Sequence, residues 1–581
     1  MVGDIISDLN HRGPDEGQLQ ELGPAVFGIA RLRIIGTTTG DQPVISSTRR
    51  TMVVFNGEIY NHSLLRLELQ KDGICLDGES DAVIIPYLYE KYGTAFVDKV
   101  QGMFAIAIYD HVQRKSFFIS DRSGKKPLYY CIHEGAVFFS SEVYPLARRG
   151  IAAAEIDFDA LNLYLSYRII PAPMTAYKRV KKLARGSIVT VDEGLVVTVS
   201  SYLVRGATAE PFSSLAEAAE ALEQCLLNAI DTRIPENVPF GATLSGGLDS
   251  SLVVAMLSRR FCGNIKTFSV GFDNPDFDEV RYAEIVAKHI GTEHSVFRIT
   301  ECDAKEAISD IIKSTGEPYA FPSAIASYYM YKIAGDDVRV ALTGDGSDEL
   351  FCGYSRYANI LAHCPNRDNL DQTRMDYLVE AYHNSLATGL SNNVKKQLLS
   401  KDFMARYPVN EGCYVRDLEA AELRPTHPLN WMMSIDRDFW LPDAQLVKID
   451  RMSMAHAVEA RSPFLDQSVV DVSDRIPVNF KLRGSVEKFI LKQIATKYLP
   501  SEIVHRKKQE LAVPLESWIC RGFGQTIKES ILDDRGILES IFDRKRLERF
   551  VLSDDPSNSY ALWTIFMLNK WFENSRSCSY R

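Results

Sequence analysis

Two short loops carry the residues in this sequence that are best suited to chemistry. The first, Ser245–Ser251 (SGGLDSS), lies between an apolar run ending at Leu244 and a helical pattern. Its two glycines let the backbone approach an anion, and the helix that follows presents unpaired N–H groups. The serines can add hydroxyl donors, and Asp249 among phosphates indicates a cation such as Mg²⁺. The loop predicts a phosphate site, although no lysine follows the glycines as in GxxxxGK[ST].

The second loop, Thr343–Glu349 (TGDGSDE), follows the apolar run Val338–Leu342 and also precedes a helical pattern. Its three carboxylates repel one another unless cations or hydrogen-bond donors share the site. Taken singly, either loop could be an ordinary glycine-rich or solvated acidic turn. In an open α/β sheet, however, both loops face the crevice at the carboxyl ends of the strands, where ligands bind. Together they favour a phosphate and metal site.

The elements around these loops predict a parallel sheet. Strand-like runs at Phe240–Leu244, Ile265–Val270 and Val338–Leu342 alternate with helical patterns. One such pattern places apolar residues at helical spacing, namely Val280, Ala283, Val286, Ala287 and Ile290. This alternation favours a sheet covered by helices on both faces. From about Asp371 the chain is mostly helical in pattern, and the polar stretch Pro365–Arg374 predicts a surface loop.

The first third of the chain predicts sheets with helices packed outside. Its short apolar runs are Thr51–Phe55, Met103–Tyr109, Lys115–Ile119, Leu128–Cys131 and Ala136–Phe139. Two helical patterns, Ser63–Gln70 and Asp81–Tyr92, interrupt them. Ser187–Val191 and Leu195–Tyr202 predict a closing hairpin with Gly194 in its turn. A boundary is expected at Leu203–Pro211, before a helix that begins near Ser214.

Composition excludes several functional classes. Hydrophobic residues make up 46% and charged residues 24% of the 581, as in an ordinary globular protein. A net charge of −10 argues against a chain whose main task is to bind nucleic acid or an anionic membrane. No apolar stretch approaches the ~20 residues that span a bilayer, and the first residues lack the pattern of a signal peptide. Ten cysteines without a CxxC pair favour reduced thiols and a cytoplasmic location.

The motifs of this sequence, taken in order, resemble those of the glutamine-hydrolysing asparagine synthetase family. They cover almost the whole chain and comprise His11–Asp15, Ala30–Leu32, Asn56–His62, Ser80-Asp81, Gln101–Ala105, Asp121-Arg122, Lys126–Tyr130, Ser141-Glu142, Ser245–Ser251, Thr343–Tyr354, Asp450–Met454, Glu459–Asp466, Glu487-Lys488 and Leu499-Pro500. The resemblance implies an α/β protein with an α+β N-terminal part. Residues 1–205 are expected to form an Ntn-type αββα sandwich, a class II glutamine amidotransferase domain. Residues 210–581 are expected to form a parallel-sheet ATP pyrophosphatase domain with a helical C-terminal part.

The resemblance also implies a reaction. Members of the family activate an acceptor carboxylate with ATP as an acyl-adenylate and release pyrophosphate. Ammonia, cut from glutamine in the other domain, then attacks the adenylate. A loop that cradles pyrophosphate stabilises this leaving group where charge develops, and Mg²⁺ does the same. The implied partners are glutamine or ammonia and a small carboxylate acceptor, with no nucleic acid or membrane; the oligomeric state stays open, with a homodimer as one alternative.

The family pattern assigns site residues position by position. ATP binding is expected from residues around the two loops: Leu244, Ser245, Gly246, Gly247, Asp249, Ser250, Ser251, Val270, Thr343 and Gly344. Asp249 and Asp348 are expected to hold Mg²⁺. Asp345 and Lys488 are the expected catalytic residues, Lys488 because a compact ammonium suits a phosphoryl group. Glutamine binding is expected from Arg31, Asn56, Gly57, Glu58 and Asp81.

The sequence departs from the family at its beginning. Class II glutaminases use an N-terminal cysteine exposed by removal of Met1, but position 2 here is Val and the first cysteine is Cys75. Only ten residues precede His11, so the nucleophile and a first strand are expected to be missing. Met1–Asn10 resembles the end of the helix that follows this strand. The surviving glutamine-pocket residues favour a start placed too late, or a truncated chain, over a relative that lost glutaminase activity.

Departures on the acceptor side leave the acceptor open. Phe321 stands four residues after Glu317, where the family often has Asp, and Lys508–Leu511 replaces a Lys-x-Gly-Phe-type pattern. The acceptor is therefore aspartate, an aspartate-like acid, or an acid of secondary metabolism or polysaccharide synthesis. A second hypothesis is a relative that uses free ammonia or an internal amine, as β-lactam synthetases do. A third, a non-catalytic homologue, is disfavoured by the intact set Asp249, Asp345, Asp348 and Lys488.

Overall fold

The computed structural model describes most of the chain, namely residues 1–36, 41–151, 155–203, 210–259, 261, 265–363, 372–409, 427–509, 513–534, 536–553 and 555–579, without the side chains of 372–375 and 576–579. Three sequence predictions lie partly outside these residues: the loop at 365–374, the boundary at 203–211 and the pattern at 508–511. None of the helices in the described ranges has the length and apolar character needed to span a bilayer.

The N-terminal part contains eleven strands and five α-helices within its described residues. The strands are β1 (Glu16–Leu22), β2 (Ala25–Arg31), β3 (Val44–Ile45), β4 (Thr51–Ile59), β5 (Gly102–Asp110), β6 (Lys115–Ser120), β7 (Tyr129–His133), β8 (Ala136–Ser140), β9 (Lys181–Lys182), β10 (Ser187–Val191) and β11 (Val197–Ser201). The helices are α1 (Val2–Asp8), α2 (His62–Lys71), α3 (Ile85–Tyr92), α4 (Val143–Arg148) and α5 (Phe158–Tyr167). Short 3₁₀ turns occupy Asp81–Ile84 and Gly93–Asp98.

These elements form two packed sheet layers between helices. The main antiparallel sheet has the order β11-β10-β6-β5-β4-β3. Because side chains alternate along a strand, Phe104, Ile106 and Ile108 of β5 pack against α2 and α3, while Ala105 and Ala107 face the second layer. That layer consists of two separate sheets, β1-β2 and β8-β7-β9. With α1, α4 and α5 outside it, the predicted αββα arrangement is confirmed.

The C-terminal part combines five strands with many helices. Its described strands are β12 (Phe240–Thr243), β13 (Lys266–Phe272), β14 (Glu293–Ile299), β15 (Val340–Leu342) and β16 (Glu459–Arg461). The first helices are α6 (Leu215–Asp231), α7 (Leu248–Leu257), α8 (Val280–Ile290), α9 (Glu301–Thr315), α10 (Ser323–Gly335), α11 (Ser347–Phe351), α12 (Ser355–Ala362), α13 (Gln372–Leu386), α14 (Asn392–Leu398) and α15 (Lys401–Arg406).

The remaining described helices lie between residues 428 and 579. They are α16 (Pro428–Ile435), α17 (Val447–Met454), α18 (Gln467–Arg475), α19 (Val478–Lys481), α20 (Phe489–Ala495), α21 (Ser501–Val504), α22 (Leu515–Ile519), α23 (Gly522–Asp533), α24 (Ile537–Ile541), α25 (Arg544–Val551) and α26 (Ser559–Ser579). A π-helix at Asp436–Leu446 joins α16 to α17, and 3₁₀ turns lie at Pro463–Leu465 and Pro556–Asn558.

The five strands form one parallel sheet in the order β14-β13-β12-β15-β16. Apolar residues of α6, α7 and α8 cover one face, and those of α9, α10 and α17 cover the other. The predicted parallel sheet is therefore confirmed. Since β12 and β15 are neighbours, the loops that follow them lie side by side at the same edge of the sheet, as expected.

Several local predictions differ from the structure. Strands β1 and β2 were not predicted, because Glu16–Leu22 is mostly exposed and carries little apolar signal. The helix predicted over Asp81–Tyr92 is a 3₁₀ turn followed by α3, which starts with Pro86 at its second position. Gln372–Arg374 begin a helix instead of continuing a loop.

Candidate active site

A cavity of about 470 Å³ opens at the carboxyl ends of β12 and β15. The loop after β12 leads directly into α7, whose N-cap is Gly247. Ser245 and Ser250 close this loop on itself: their hydroxyl oxygens are 3.0 Å apart, and the backbone N–H of Gly247 donates to Oγ of Ser245. The N-terminus of α7 therefore faces the cavity, as a phosphate site requires.

Gly246 fixes how closely the first loop packs on α8. Its φ is +72°, and a Cβ built there lies 2.5 Å from the backbone nitrogen of Ala283. Arg506 then covers the loop by donating to the carbonyl oxygen of Gly246 over 3.1 Å and by pairing with Glu279. Both the conformation and the space at this position require glycine.

Lys488 joins the two loops. Its Nζ lies 2.5 Å from Oδ2 of Asp249 in the first loop region and 2.5 Å from Oδ1 of Asp348 at the start of α11. Ser347 donates from Oγ to the other oxygen of Asp249 over 2.7 Å. A second lysine, Lys508, also lies 2.5 Å from Oδ1 of Asp348. The tertiary structure thus brings together two carboxylates and two ammonium groups from four separate segments.

The titration of these groups follows from their charges. Burial opposes ionisation of Asp348, but the charges and hydrogen bonds of Lys488 and Lys508 outweigh it and lower its pKa below the ordinary range. Burial likewise opposes the charge of Lys488, yet Asp249 and Asp348 raise its pKa. Glu349 behaves differently: burial, and then the charge of Asp348, raises its pKa to about 7 despite a hydrogen bond from Tyr354.

The two aspartates suit a magnesium ion that phosphates help to bind. Because both contact the same Nζ, the two carboxylate oxygens are at most about 5 Å apart. Among the described residues, no group of three His, Cys, Asp or Glu side chains is arranged to hold a metal alone. Mg²⁺ is commonly held by one or two carboxylates plus substrate phosphates, so this donor set fits it.

Most of the predicted ATP-binding and catalytic residues line this cavity. Those in the lining are Leu244, Ser245, Gly247, Asp249, Ser250, Val270, Gly344, Asp345, Asp348 and Lys488. Three predicted residues do not line it: Gly246, Ser251 and Thr343. The hydroxyls of Ser251 and Thr343 are buried without a hydrogen-bond partner among the described residues, and so is Oδ2 of Asp345.

Other lining residues were not predicted as site residues. Lys508 and Arg506 contact the two loops, and both belong to a basic run, Arg506–Lys508, which was the available signal. Arg168, Arg356 and Trp440 also line the cavity. They come from distant segments without a motif, so no local pattern could identify them.

The second cavity, of about 330 Å³, lies in the N-terminal part between β2 and β8. All five predicted glutamine-binding residues line it: Arg31, Asn56, Gly57, Glu58 and Asp81. Arg31 donates to the carbonyl oxygens of Ile35 and Gly36 and to Asp41. Residues of α1 also line the cavity, and no cysteine occurs among its described lining residues; Cys75 is exposed and lies outside it.

Two buried carboxylates lie in this second cavity. Oε2 of Glu58 is 2.5 Å from the guanidinium of Arg461, which belongs to β16 in the C-terminal part. Burial raises the pKa of Glu58 despite Arg461, and burial also raises the pKa of Asp81 against a hydrogen bond from Ile59. An ionised ligand group such as an ammonium would therefore be well paired here.

A buried ionic network lies between the two parts, and we name it the interface network. The N-terminal part contributes Arg12, Glu58, Lys126 and Glu142, and the C-terminal part contributes Asp450, Arg451, Glu459 and Arg461. Arg12 binds both oxygens of Asp450, at 2.9 and 3.1 Å, and also Glu142 at 3.0 Å. Four cations thus face four carboxylates, and Glu58 and Glu459 also line the second cavity.

Comparison with protein families gives two matches. The family described as "Asparagine synthase" matches residues 221–573, which is more than half of the chain. The family described as "Glutamine amidotransferase domain" matches residues 1–203. The first covers the cavity at β12 and β15, and the second covers the cavity between β2 and β8.

Curated relatives align over most of the chain. Asparagine synthetase [glutamine-hydrolyzing] 1 of Bacillus subtilis is 29% identical over 98% of this chain and 93% of its own length. Asparagine synthetase B of Escherichia coli is 27% identical over 90% of this chain and 79% of its own length. Among solved structures, glutamine phosphoribosylpyrophosphate amidotransferase from B. subtilis is 12% identical and covers 50% of this chain and 61% of its own, with a TM-score of 0.26.

Proposed function

The chain belongs to the asparagine synthase family, and from that premise we propose that it joins an acceptor carboxylate to nitrogen at the expense of ATP. ATP converts the acceptor into an acyl-adenylate at the cavity beside β12 and β15, and pyrophosphate leaves. Ammonia then displaces AMP and leaves an amide. We also propose that residues 1–205 form the glutamine-handling domain and residues 210–581 the ligase domain.

The observation that carries this proposal is the position of Lys488 between Asp249 and Asp348. The lysine contacts one carboxylate in each loop, beside the direct hydrogen bond from Ser347 to Asp249, and it lies next to the N-terminus of α7. When the acceptor oxygen attacks the α-phosphorus, negative charge develops on the phosphoryl oxygens and on the departing pyrophosphate. A preformed ammonium and helix N-terminus stabilise that charge without reorganisation.

Each residue of the proposed mechanism has one task. The first loop and α7 bind the departing phosphates, and Lys488 neutralises the phosphoryl oxygens. Asp249 and Asp348 would hold Mg²⁺, which supplies further charge neutralisation when bound. Asp345 offers a buried carboxylate oxygen without a partner among the described residues, and we assign it the proton lost by the attacking nitrogen.

The test is product identity. With ATP, Mg²⁺, ammonium chloride and an acceptor, we expect pyrophosphate and AMP in equal amounts with the amide product. Lys497→Ala is the control, because Lys497 is exposed and pairs with Glu223 away from the cavity. Release of ADP and orthophosphate, or acceptor-independent turnover alone, would contradict the proposal.

A second candidate concerns the nitrogen source. The described lining of the second cavity contains no cysteine, although its glutamine-binding residues are in place. A protein of the printed sequence is therefore expected to use free ammonia, because attack on the glutamine amide needs a nucleophile. Amide synthesis from ammonium chloride should rise with pH as more NH₃ forms. Release of glutamate from glutamine at the rate of amide synthesis would disprove this candidate.

A further inference from the structure

One wall of the ATP-side cavity is a continuous series of contacting aromatic rings and guanidinium groups. The guanidinium of Arg356 lies 3.8 Å from the ring centroid of Tyr354 and 5.1 Å from that of Trp440. Trp440 meets Phe321 edge to face, with centroids 5.2 Å apart, and the guanidinium of Arg168 lies 4.2 Å from Phe321. All five residues line the cavity, and we call them the aromatic wall.

One end of the aromatic wall contacts the segment that carries Asp348. Tyr354 donates its hydroxyl to Glu349 over 2.6 Å, and Glu349 directly follows Asp348, which Lys488 contacts. The residues proposed for adenosine, Leu244 and Val270, instead lie at the carboxyl ends of β12 and β13. The wall is therefore connected to the proposed phosphoryl site through Tyr354 and Glu349, and it shares no residue with the proposed adenosine site.

Nε1 of Trp440 and Nε of Arg356 are buried donors in the wall without a hydrogen-bond partner among the described residues. Nη2 of Arg356 donates to Asp436. Trp440 is only 7% exposed, so water reaches it poorly. Buried donors normally find an acceptor. A ligand in this part of the cavity must therefore bring oxygen acceptors together with a surface that packs on aromatic rings.

The wall suits an amino acid poorly. An ammonium group there would lie near the guanidinium groups of Arg168 and Arg356, which repel it. Two carboxylates that contact the wall are already engaged: Glu349 accepts from Tyr354, and Asp436 pairs with Arg356. Position 321 carries a phenyl ring, so it supplies no anion for an ammonium group.

Resting on the function proposed above, we propose that the acceptor is a carboxylic acid borne on a six-membered ring without a neighbouring ammonium group. The ring packs against Phe321 and Trp440, and its oxygen substituents accept from Nε1 of Trp440 and Nε of Arg356. An aromatic acid and a uronic acid both present such a ring face with oxygen substituents. The experiment below distinguishes these two sources.

The experiment measures pyrophosphate release by the full chain with ATP, Mg²⁺ and ammonium chloride. The acceptors are 4-hydroxybenzoate, glucuronate and aspartate, tested separately. We expect release with at least one ring acid, with a KM below that for aspartate. Trp440→Phe keeps a ring but removes the indole N–H, so the KM for the preferred ring acid should rise about fivefold.

The matched control is Trp563→Phe. Trp563 is also buried with an unpaired Nε1 among the described residues, but it lies outside the cavity lining, so its loss should leave this KM unchanged. Tryptophan fluorescence gives a second measurement that does not require turnover. A ring acid should change the emission of the wild-type chain, and Trp440→Phe should remove that change.

Each outcome separates the acceptor class from the function itself. Faster pyrophosphate release with aspartate than with both ring acids overturns the acceptor class and leaves the ligase function standing. A fluorescence change that depends on Trp440, without pyrophosphate, supports the acceptor class and contradicts the ligase function. Neither pyrophosphate nor a fluorescence change with any ring acid overturns the acceptor class.

Discussion

At the scale of single residues, the role proposed for Lys488 depends on the two carboxylates that hold its ammonium group. It is 4% exposed and contacts two carboxylates from different loops, so its ammonium can neither rotate freely nor lose its proton near neutral pH. A phosphoryl group that enters the cavity meets this fixed charge. We expect ATP to compete with Asp249 and Asp348 for Lys488, and these carboxylates then become available to Mg²⁺.

Replacing either aspartate by asparagine should abolish adenylation. Asp249→Asn and Asp348→Asn each remove one negative charge from the proposed magnesium site. The rate of pyrophosphate release should fall by about 10²-fold or more, as for the loss of other electrostatic stabilisers. Asp471→Asn, on the exposed side of α18, is the control. Near-normal rates in both variants at saturating Mg²⁺ would argue against the metal assignment.

Lys488→Ala and Lys488→Arg should both impair synthesis. Arginine keeps the positive charge but replaces a compact ammonium with a planar fork that cannot occupy the same position between two carboxylates. We expect kcat for pyrophosphate release to fall in both variants while circular dichroism stays native. Full activity of Lys488→Arg would show that only the charge matters and that the lysine makes no specific phosphoryl contact.

At the scale of elements, the site depends on how closely the loop after β12 packs against α8. Gly246 allows the loop backbone to pack directly on the backbone of α8, and Gly353 leaves room for the side chain of Lys488. A Cβ at Gly353 would lie 2.1 Å from Cε of Lys488 and 1.8 Å from Oδ1 of Asp348. Short loops at the ends of parallel strands are thus held by contacts to helices that are distant in sequence. Glycine is needed at these two positions because the backbone packs against the backbone of α8 at one and against the side chains of Lys488 and Asp348 at the other.

Gly246→Ala should damage the site more than a comparable change elsewhere. Gly291 also has a positive φ, +85°, but a Cβ there meets nothing within 4 Å. Both substitutions carry the cost of a left-handed alanine, about 1 kcal/mol. Only Gly246→Ala also displaces α8, so its free energy of unfolding and its ATP affinity should both fall further than those of Gly291→Ala. Equal effects of the two variants would refute the packing argument.

At the scale of the whole molecule, the interface network ties the two parts together. Its members belong to sequence motifs at His11–Asp15, Asn56–His62, Lys126–Tyr130, Ser141-Glu142, Asp450–Met454 and Glu459–Asp466. Burial opposes ionisation of Glu142, but Arg451, His11 and Arg12 outweigh it and lower its pKa. Arg461 pairs with Glu58, which lines the second cavity. Arg461 also belongs to β16, which pairs with β15 beside the first cavity, so the interface network contacts both cavities.

Glu142→Gln should destabilise the protein in a pH-dependent way. At pH 7 the substitution removes the buried negative charge that pairs with Arg12 and Arg451. This loss should lower the free energy of unfolding by about 3–5 kcal/mol. The pKa of Glu142 in the folded state is below its ordinary value of 4.5, so ionised Glu142 stabilises the fold above pH 4.5. This stabilisation is lost as the pH falls below 4.5 toward the folded-state pKa. The difference between wild type and variant should therefore shrink below about pH 4.5.

The control for this change is Glu193→Gln, which removes an exposed partner of Arg114. It should alter the free energy of unfolding by less than about 1 kcal/mol at any pH. Denaturant unfolding at several pH values provides the measurement. A loss for Glu142→Gln that stays constant down to pH 3 would contradict the assignment of this stability to an ionised Glu142.

The sequence by itself predicted the two glycine-containing loops, the parallel sheet that carries them and, in the N-terminal part, sheets with helices packed outside. These features are local: apolar periodicity marks each strand, and glycine, serine and aspartate mark each turn. The same logic missed β1, which is mostly exposed and has little apolar contrast, and its partner β2. The αββα arrangement of the N-terminal part was implied by the family resemblance. The family resemblance also assigned Ser251 and Thr343 to ATP binding, and that assignment stays a prediction; the structure buries both side chains.

Only the tertiary structure decided which distant side chains meet. Lys508 contacts Asp348 across 160 residues, and Arg12 contacts Asp450 across 438, which no periodicity records. The aromatic wall likewise unites Arg168, Phe321, Tyr354, Arg356 and Trp440 from four separate segments. The physical reason is that charge pairing and ring packing depend on distances of 3–6 Å in space, whereas sequence patterns report only the few neighbours within one turn or strand.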